Sequence, residues 1–196
     1  MKLLLIADEE SPRLYEHYRP GCLRGIDLIL SAGDLKAHYL EFLVTLANKP
    51  LVYVHGNHDG IYETRPPEGC LCADGKFLNI NGLRILGLGG SRQYSGGPFQ
   101  YSEAQMRQRI RRLKPAIWRS GGVDLLLTHT PPAGCGDLPD LAHCGFEAFL
   151  PLLESVQPRF WVHGHIHMRY SPRTDRILQH GETTIINASG EYILEI

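Results

Sequence analysis

No stretch of this chain is long and apolar enough to span a bilayer, and the apolar start, Met1 to Ala7, meets Asp8 before a secretory core could form. Neither sign of charge is in excess. The formal net charge is −1, so no bulk field argues for a membrane partner, or for nucleic acid as anything but a substrate. Cysteine is sparse. The five residues, Cys22, Cys70, Cys72, Cys135 and Cys144, are an odd number without C-x-x-C spacing. That pattern argues against a disulfide framework and implies reduced thiols in the cytoplasm. Cys70-Leu71-Cys72 is too tight for ordinary zinc spacing and reads as two loop thiols. Internal repeats and low-complexity tracts are also missing. What remains is 196 residues of ordinary globular composition, enough for one domain, residues 1–196, with a sizeable core.

Within that composition a pattern recurs. Five times an apolar run ends abruptly in a side chain able to bind a metal. Lys2 to Ala7 ends in Asp8, and Ile26 to Ala32 in Gly33-Asp34. Leu51 to His55 ends in Gly56-Asn57-His58-Asp59. Asp124 to Thr128 ends in His129, and Arg159 to His163 in Gly164-His165-Ile166-His167. Short apolar runs bounded by Gly and polar residues read as strands buried on both faces. In an open α/β sheet, ligands bind beyond the carboxyl ends of the strands. Five such ends bring Asp, Asn and His side chains to one place.

The order of elements supports a parallel sheet. Strand 2–7, a helix-like stretch near 11–19 opened by Ser11-Pro12, strand 26–31, helix 35–47 and strand 51–55 form a βαβαβ series. Residues 60–75 read as loop. Asn81-Gly82 between 76–80 and 83–88 predicts a hairpin. Ser102-Glu103-Ala104-Gln105 has the form of a capping box, starting a helix that runs to about Leu113, with Pro115 kinking or ending it. Strand 124–128, a long loop to about Cys144, a helix near 145–156 and strand 159–163 follow. The segments 176–180, 183–188 and 191–196 read as an antiparallel meander. The fold class is α/β: a two-sheet β-sandwich core flanked by helices, four layers in the order αββα.

A pair of divalent ions about 3.5–4 Å apart can activate water and clamp a phosphoryl group. It needs a carboxylate that touches both ions, and Asp34 on the turn after Gly33 is the bridging candidate. The glycines before Asp34, Asn57 and His165 let the backbone approach closely. The string Asp8…Gly33-Asp34…Gly56-Asn57-His58-Asp59…His129…Gly164-His165-Ile166-His167 resembles the calcineurin-like metallophosphoesterase superfamily, from residue 8 to 167 and in family order. The resemblance implies that Asp8, Asp34 and His167 hold one ion and that Asp34, Asn57, His129 and His165 hold the other. It places His58 beside the scissile phosphate, where it stabilises charge or protonates the leaving oxygen. Thr128-His129-Thr130-Pro131-Pro132 and Asn187-Ala188-Ser189 look most like the small phosphodiesterase branch.

Two departures stand out. The family's first motif is usually Asp-x-His, whereas this chain has Asp8-Glu9-Glu10. On an extended strand end Asp8 and Glu10 share a face, so Glu10 is expected to replace the histidine as a ligand. A third carboxylate makes the site one unit less positive and favours a hard, oxygen-preferring ion. Manganese is therefore expected first, with iron, zinc or nickel as alternatives. Ala37 stands where protein-phosphatase relatives carry the acid that orients the catalytic histidine, which leaves the partner of His58 open.

Taken singly, each residue has a plainer account: a hydrogen-bonded loop histidine at His129, a turn or helix cap at Asp34, a simple turn at Gly56-Asn57. His55 and His163 alternate away from the site and read as supporting residues. His17, His38, His143 and His180 read as surface or loop residues. The basic run Arg107, Arg109, Arg111, Arg112, Lys114 and Arg119 reads first as a solvated helix face. Tyr94, Phe99 and Tyr101, in a Gly-rich loop, either stack on a substrate ring or pack the loop. The leading expectation is a dimetal phosphodiesterase for a small or extended diester, because the length leaves no room for a capping domain. The alternatives are a phosphomonoesterase, with Arg92 or Arg65 as the extra cations, and a non-catalytic interaction scaffold with a degenerate metal site.

Overall fold

The computed structural model describes residues 1–169 and 175–196. In chain order the elements are β1 (Lys2–Ala7), β2 (Leu28–Ser31), α1 (Ala37–Ala47), β3 (Leu51–Tyr53), β4 (Leu71–Cys72), β5 (Phe77–Ile80), β6 (Leu83–Leu88), β7 (Ser91–Arg92) and β8 (Gln100–Tyr101). They continue with α2 (Glu103–Arg119), β9 (Leu125–Thr128), α3 (Phe149–Val156), β10 (Phe160–His163), β11 (Ile177–His180), β12 (Thr183–Asn187) and β13 (Gly190–Glu195). One sheet has the order β13-β1-β2-β3-β4 and the other β11-β12-β10-β9-β6-β5; β7 and β8 form a separate pair.

Alternation along the strands builds the layers. On β1, Leu3, Leu5 and Ala7 enter the core between the sheets, with Leu28 and Leu30 of β2, Leu125 and Leu127 of β9 and Val162 of β10. Leu4 and Ile6 face the other way, onto Tyr39, Leu40 and Leu43 of α1. On the far side, Leu126 and Trp161 turn outward onto Met106, Ile110, Phe149 and Leu152 of α2 and α3. The result is the expected αββα sandwich. β1, β2 and β3 are mutually parallel, as are β6, β9, β10 and β12, so five ligand-bearing strand ends point the same way within their sheets.

The hairpin forms as predicted, with Asn81 (φ 52°) and Gly82 (φ 90°) in the left-handed region that its two-residue turn requires. The capping box is complete: Gln105 N–H donates to Ser102 Oγ at 3.3 Å, and Ser102 N–H donates to Gln105 Oε1 at 2.7 Å.

Four expectations about the elements fail. Residues 60–75 are not all loop: Gly60–Glu63 form a helical turn, and Leu71 and Cys72 pair with Val52 and Tyr53 of β3 as β4. Residues 12–17 form successive turns instead of a helix. Ser11 does cap the first turn, with Leu14 N–H donating to its Oγ at 3.4 Å. Tyr15 and Tyr18, however, pack edge-on against Phe42 of α1, and Pro20-Gly21 stops propagation. Pro115 does not end α2, which runs to Arg119. Pro115 and Arg111 are both exposed, so water can satisfy the carbonyl that proline leaves unpaired. The last segment is not part of one meander. β11 and β12 form a hairpin in the second sheet, but β13 crosses to pair antiparallel with β1.

Candidate metal centre

Each ligand candidate lies just beyond a strand: Asp8 after β1, Asp34 after β2, Asn57 after β3, His129 after β9, and His165 and His167 after β10. Asp8 (φ 62°), Asp34 (φ 57°) and His165 (φ 69°) hold left-handed backbone. Such strain costs of order 1–3 kcal/mol per residue and collects at functional sites. A side chain on Gly56 would run into the Asp34 carboxylate, and one on Gly33 into the Gly56 backbone. The two turns can therefore touch only because both glycines lack Cβ.

Asp59 ties these turns together. Its Oδ2 accepts the Asp34 N–H at 2.9 Å and the Gly56 N–H at 2.7 Å. Asp34 Oδ1 in turn accepts the His58 backbone N–H at 2.8 Å. Asp34, His129 and His165 bring ligand atoms within 4.8 Å of one another. Asn57 Oδ1 lies 3.0 Å from His129 Nε2, Asp34 Oδ2 lies 3.3 Å from it, and His165 Nδ1 lies 3.2 Å from it.

The protons decide what this cluster is for. His129 Nδ1 donates to the Ala32 carbonyl at 2.7 Å, and His165 Nε2 donates to the Ala142 carbonyl at 2.7 Å. A carbonyl can only accept, so the opposite ring nitrogens carry lone pairs in the neutral rings. Four acceptors then face one another, an arrangement that needs a cation. Separations of 3.0–3.3 Å match adjacent ligands of one octahedral ion with bonds of about 2.1 Å. When a proton takes that place it settles on His129. Burial alone would lower this pKa, but the Asp34 and Asp8 carboxylates raise it to about 9. Burial and the neighbouring His129 push His165 down to about 3. For Asp34, burial opposes ionisation, yet His129 and the His58 N–H hold it at about 2.

Beside this cluster lies a cavity of about 380 Å³ lined by Asp8, Glu10, Asp34, His167 and their neighbours. Asp8 Oδ1 accepts the His165 N–H at 2.8 Å, while its Oδ2 is buried with no hydrogen-bond partner. Desolvation, opposed by His129 and reinforced by Asp34, raises Asp8 to about 6. An orphaned carboxylate oxygen in an acid-lined cavity fits a second cation. The extended alternation expected of Asp8 and Glu10 is not what the chain does, because the left-handed Asp8 ends the strand. Glu10 reaches the cavity wall through that turn, with Oε1 3.5 Å from Lys36 Nζ and 4.0 Å from His38 Nε2. Its neighbour Glu9 contacts His167 Nδ1 at 3.1 Å and pairs with Arg169 at 2.6 Å. The His58 ring is exposed at the rim.

Sequence reasoning gave Asp59 no role and missed the carbonyls of Ala32 and Ala142. Tyr94 turns inward, and its hydroxyl accepts from Asn57 Nδ2 at 3.1 Å. Phe99 and Tyr101 pack the loop: Phe99 stacks on His55 at 4.2 Å, and Arg109 lies 4.2 Å over Tyr101. Arg109 leaves the solvated face altogether and binds the Asp74 carboxylate, which also meets His55 Nδ1 at 3.0 Å. His163 is buried as expected, and desolvation pushes it down to about 4. His143 is not a bare loop residue: its Nδ1 meets Asp140 at 2.8 Å and its ring lies 5.5 Å from that of His165.

Two parallel strand sets delivering carboxylate, amide and imidazole to one acceptor-rich cluster define a metal-binding αββα protein. A family model described as calcineurin-like phosphoesterase matches residues 7–169, and the chain belongs to that family. It is 32% identical over 123 residues to metallophosphoesterase domain-containing protein 1 of Homo sapiens, covering 61% of this chain and 35% of that one. It is 26% identical over 206 residues to the lariat debranching enzyme of Drosophila pseudoobscura pseudoobscura, covering 74% and 38%. The matches span 24% to 38% of the length of such relatives. Among solved structures it is similar to TT1561 of Thermus thermophilus, with a TM-score of 0.65, 16% identity and coverage of 96% and 89%. That likeness concerns the fold. No helix among the described residues is long and apolar enough to cross a membrane.

Proposed function

We propose that this chain is a dimetal phosphoesterase acting on a phosphodiester. The observation that carries the reading is the meeting of four acceptor atoms, from Asp34, Asn57, His129 and His165, beside a cavity holding the unpartnered Asp8 oxygen. Asp34, Asn57, His129 and His165 would hold one ion, and Asp8, Asp34, Glu10 and His167 the other. Two bound divalent ions would supply an activated water and neutralise charge on the phosphoryl group. The chain's own residues do the rest. Asp59 fixes the turns of Asp34 and Gly56. Tyr94 and the carbonyls of Ala32 and Ala142 fix the faces of Asn57, His129 and His165. The exposed His58, anchored by its backbone N–H to Asp34, hydrogen-bonds the leaving oxygen or gives it a proton.

Charge favours a diester over a monoester. The dianion of a monoester needs spare cations at the rim. Lys36 lies beside Glu10 and Arg169 beside Glu9. Arg92 lies 3.7 Å from Glu103, and its guanidinium donates to the Gly145 carbonyl at 3.5 Å. A small molecule or an extended nucleic-acid strand both satisfy this reading, and the match to a lariat debranching enzyme agrees with it. A scaffold reading fits less well, because a decayed site would not keep four converging acceptors. Manganese suits the carboxylate-rich donor set, and the odd, unpaired cysteine pattern supports the cytoplasm.

The test compares an aryl diester with the matching aryl monoester across Mn²⁺, Zn²⁺, Fe²⁺ and Ni²⁺. We expect metal-dependent turnover of the diester, fastest with Mn²⁺. The Asp34→Asn variant should lose more than the roughly 10–100-fold typical of an outer-shell change. Faster monoester turnover would reverse the substrate assignment, and protein that binds no metal would leave the scaffold reading standing.

A further inference from the structure

A second groove lies away from the metal centre. It holds about 680 Å³ and runs along the outer layer between α2 and α3. Ile110, Ile117 and Trp118 wall it on α2, with Leu152 and Val156 on α3. Trp118 is 84% exposed, more than any other large hydrophobic side chain among the described residues. Trp118 and Val156 sit towards the end where β9 and β10 begin, whereas His129 and His165 lie where those strands finish. The groove therefore belongs to neither the ligand cluster nor its rim.

The same stripe of α2 carries charge of one sign. Arg107, Arg111 and Lys114 share the groove face with Ile110, Ile117 and Trp118, at the three- and four-residue spacing of one helix side. Arg107 approaches Glu103 only at 3.8 Å. Among the described residues, Arg111 and Lys114 pair with no carboxylate, and Glu147 is the one acid lining the groove. Exposed apolar surface rimmed by polar groups marks an interaction site, and here the rim is basic on a chain whose net charge is −1.

We propose that this groove docks an acidic amphipathic helix of a partner protein. Its apolar face would lie against Ile110, Ile117, Trp118 and Val156, and its carboxylates against Arg111 and Lys114. A channel between two helices has the shape for a third helix. Nucleic acid fits less well. Strand-binding grooves offer successive aromatic platforms, whereas here one ring stands among aliphatic walls.

The chain has two tryptophans, of which Trp161 is fully buried, so emission from Trp118 reports the groove directly. The full chain would be titrated with an 18-residue peptide carrying Leu at positions 1, 4, 5, 8, 11, 12 and 15 and Glu elsewhere. A Lys-for-Glu peptide and a 12-nucleotide uridine strand would be titrated in parallel. Binding is expected as a saturable blue shift with the acidic peptide alone. Arg111→Glu with Lys114→Glu should weaken it by about tenfold or more, with metal-dependent ester hydrolysis unchanged. Because Trp118→Ala removes the signal, the anisotropy of a labelled peptide would follow that variant, which should also bind weakly. The proposal is overturned if the basic peptide or the uridine strand shifts Trp118 emission as well, if the double variant binds undiminished, or if sedimentation shows two copies of this chain closing the groove.

Discussion

At the scale of single residues, His129 controls the charge of the centre. With no cation present it keeps its proton up to about pH 9, because Asp34 and Asp8 outweigh its burial. Its folded pKa is thus raised above the unfolded value of about 6.5. The stability this contributes is fully present below about pH 6.5 and is lost as pH rises through 9. A cation held by the proposed ligands would take over the role of that proton and release it. Metal-free protein should therefore lose stability between pH 6.5 and 9, while apparent metal affinity climbs over the same range. Denaturant melts of chelated protein, with calorimetric titration of Mn²⁺ in buffers of different ionisation enthalpy, check both slopes. No proton released near pH 7.5 would show that His129 is not a ligand.

At the scale of elements, the capping box of α2 is the feature most fully written in the sequence. Ser102→Ala removes the acceptor of the Gln105 N–H and should destabilise the protein by about 1 kcal/mol. That is a fall of roughly 2–4 °C in Tm, read by thermal melting, whereas Ser102→Asp should restore it. The parallel strands were equally legible, because β1, β2, β9 and β10 are buried on both faces and leave uninterrupted apolar runs. The destination of β13 was not, since alternating residues do not say which sheet they will join. Asp8 shows the same limit within one residue. Its backbone is left-handed, and its carboxylate accepts the His165 N–H from 157 positions away, a partner that no local pattern names. Asp59, Tyr94 and Ala142 serve the site through contacts to Asp34, Asn57 and His165 that span 25, 37 and 23 positions. The five strand ends were readable because each ends its own apolar run. The atoms that orient them were not, because they belong to loops whose paths depend on the finished fold.

At the scale of the whole molecule, the centre is a seam. Asp8, Asp34 and Asn57 come from the sheet containing β1, β2 and β3, and His129, His165 and His167 from the sheet containing β9 and β10. An ion held by both sets would link the sheets at the ends of their strands, where left-handed turns and facing acceptors oppose closure. Binding to the folded state alone adds RT ln(1 + [L]/Kd), about 2.7 kcal/mol at a hundredfold excess over Kd. For a chain of this length that corresponds to roughly 5–10 °C in Tm. Metal-loaded protein should therefore melt higher than chelated protein by that amount. The difference should largely vanish in Asp34→Asn, which removes a carboxylate from the proposed ligand set, yet persist in Arg111→Glu, which lies in the groove between α2 and α3. An equal gain in Asp34→Asn would place the ion elsewhere and detach the strand-end cluster from the stability of the sandwich.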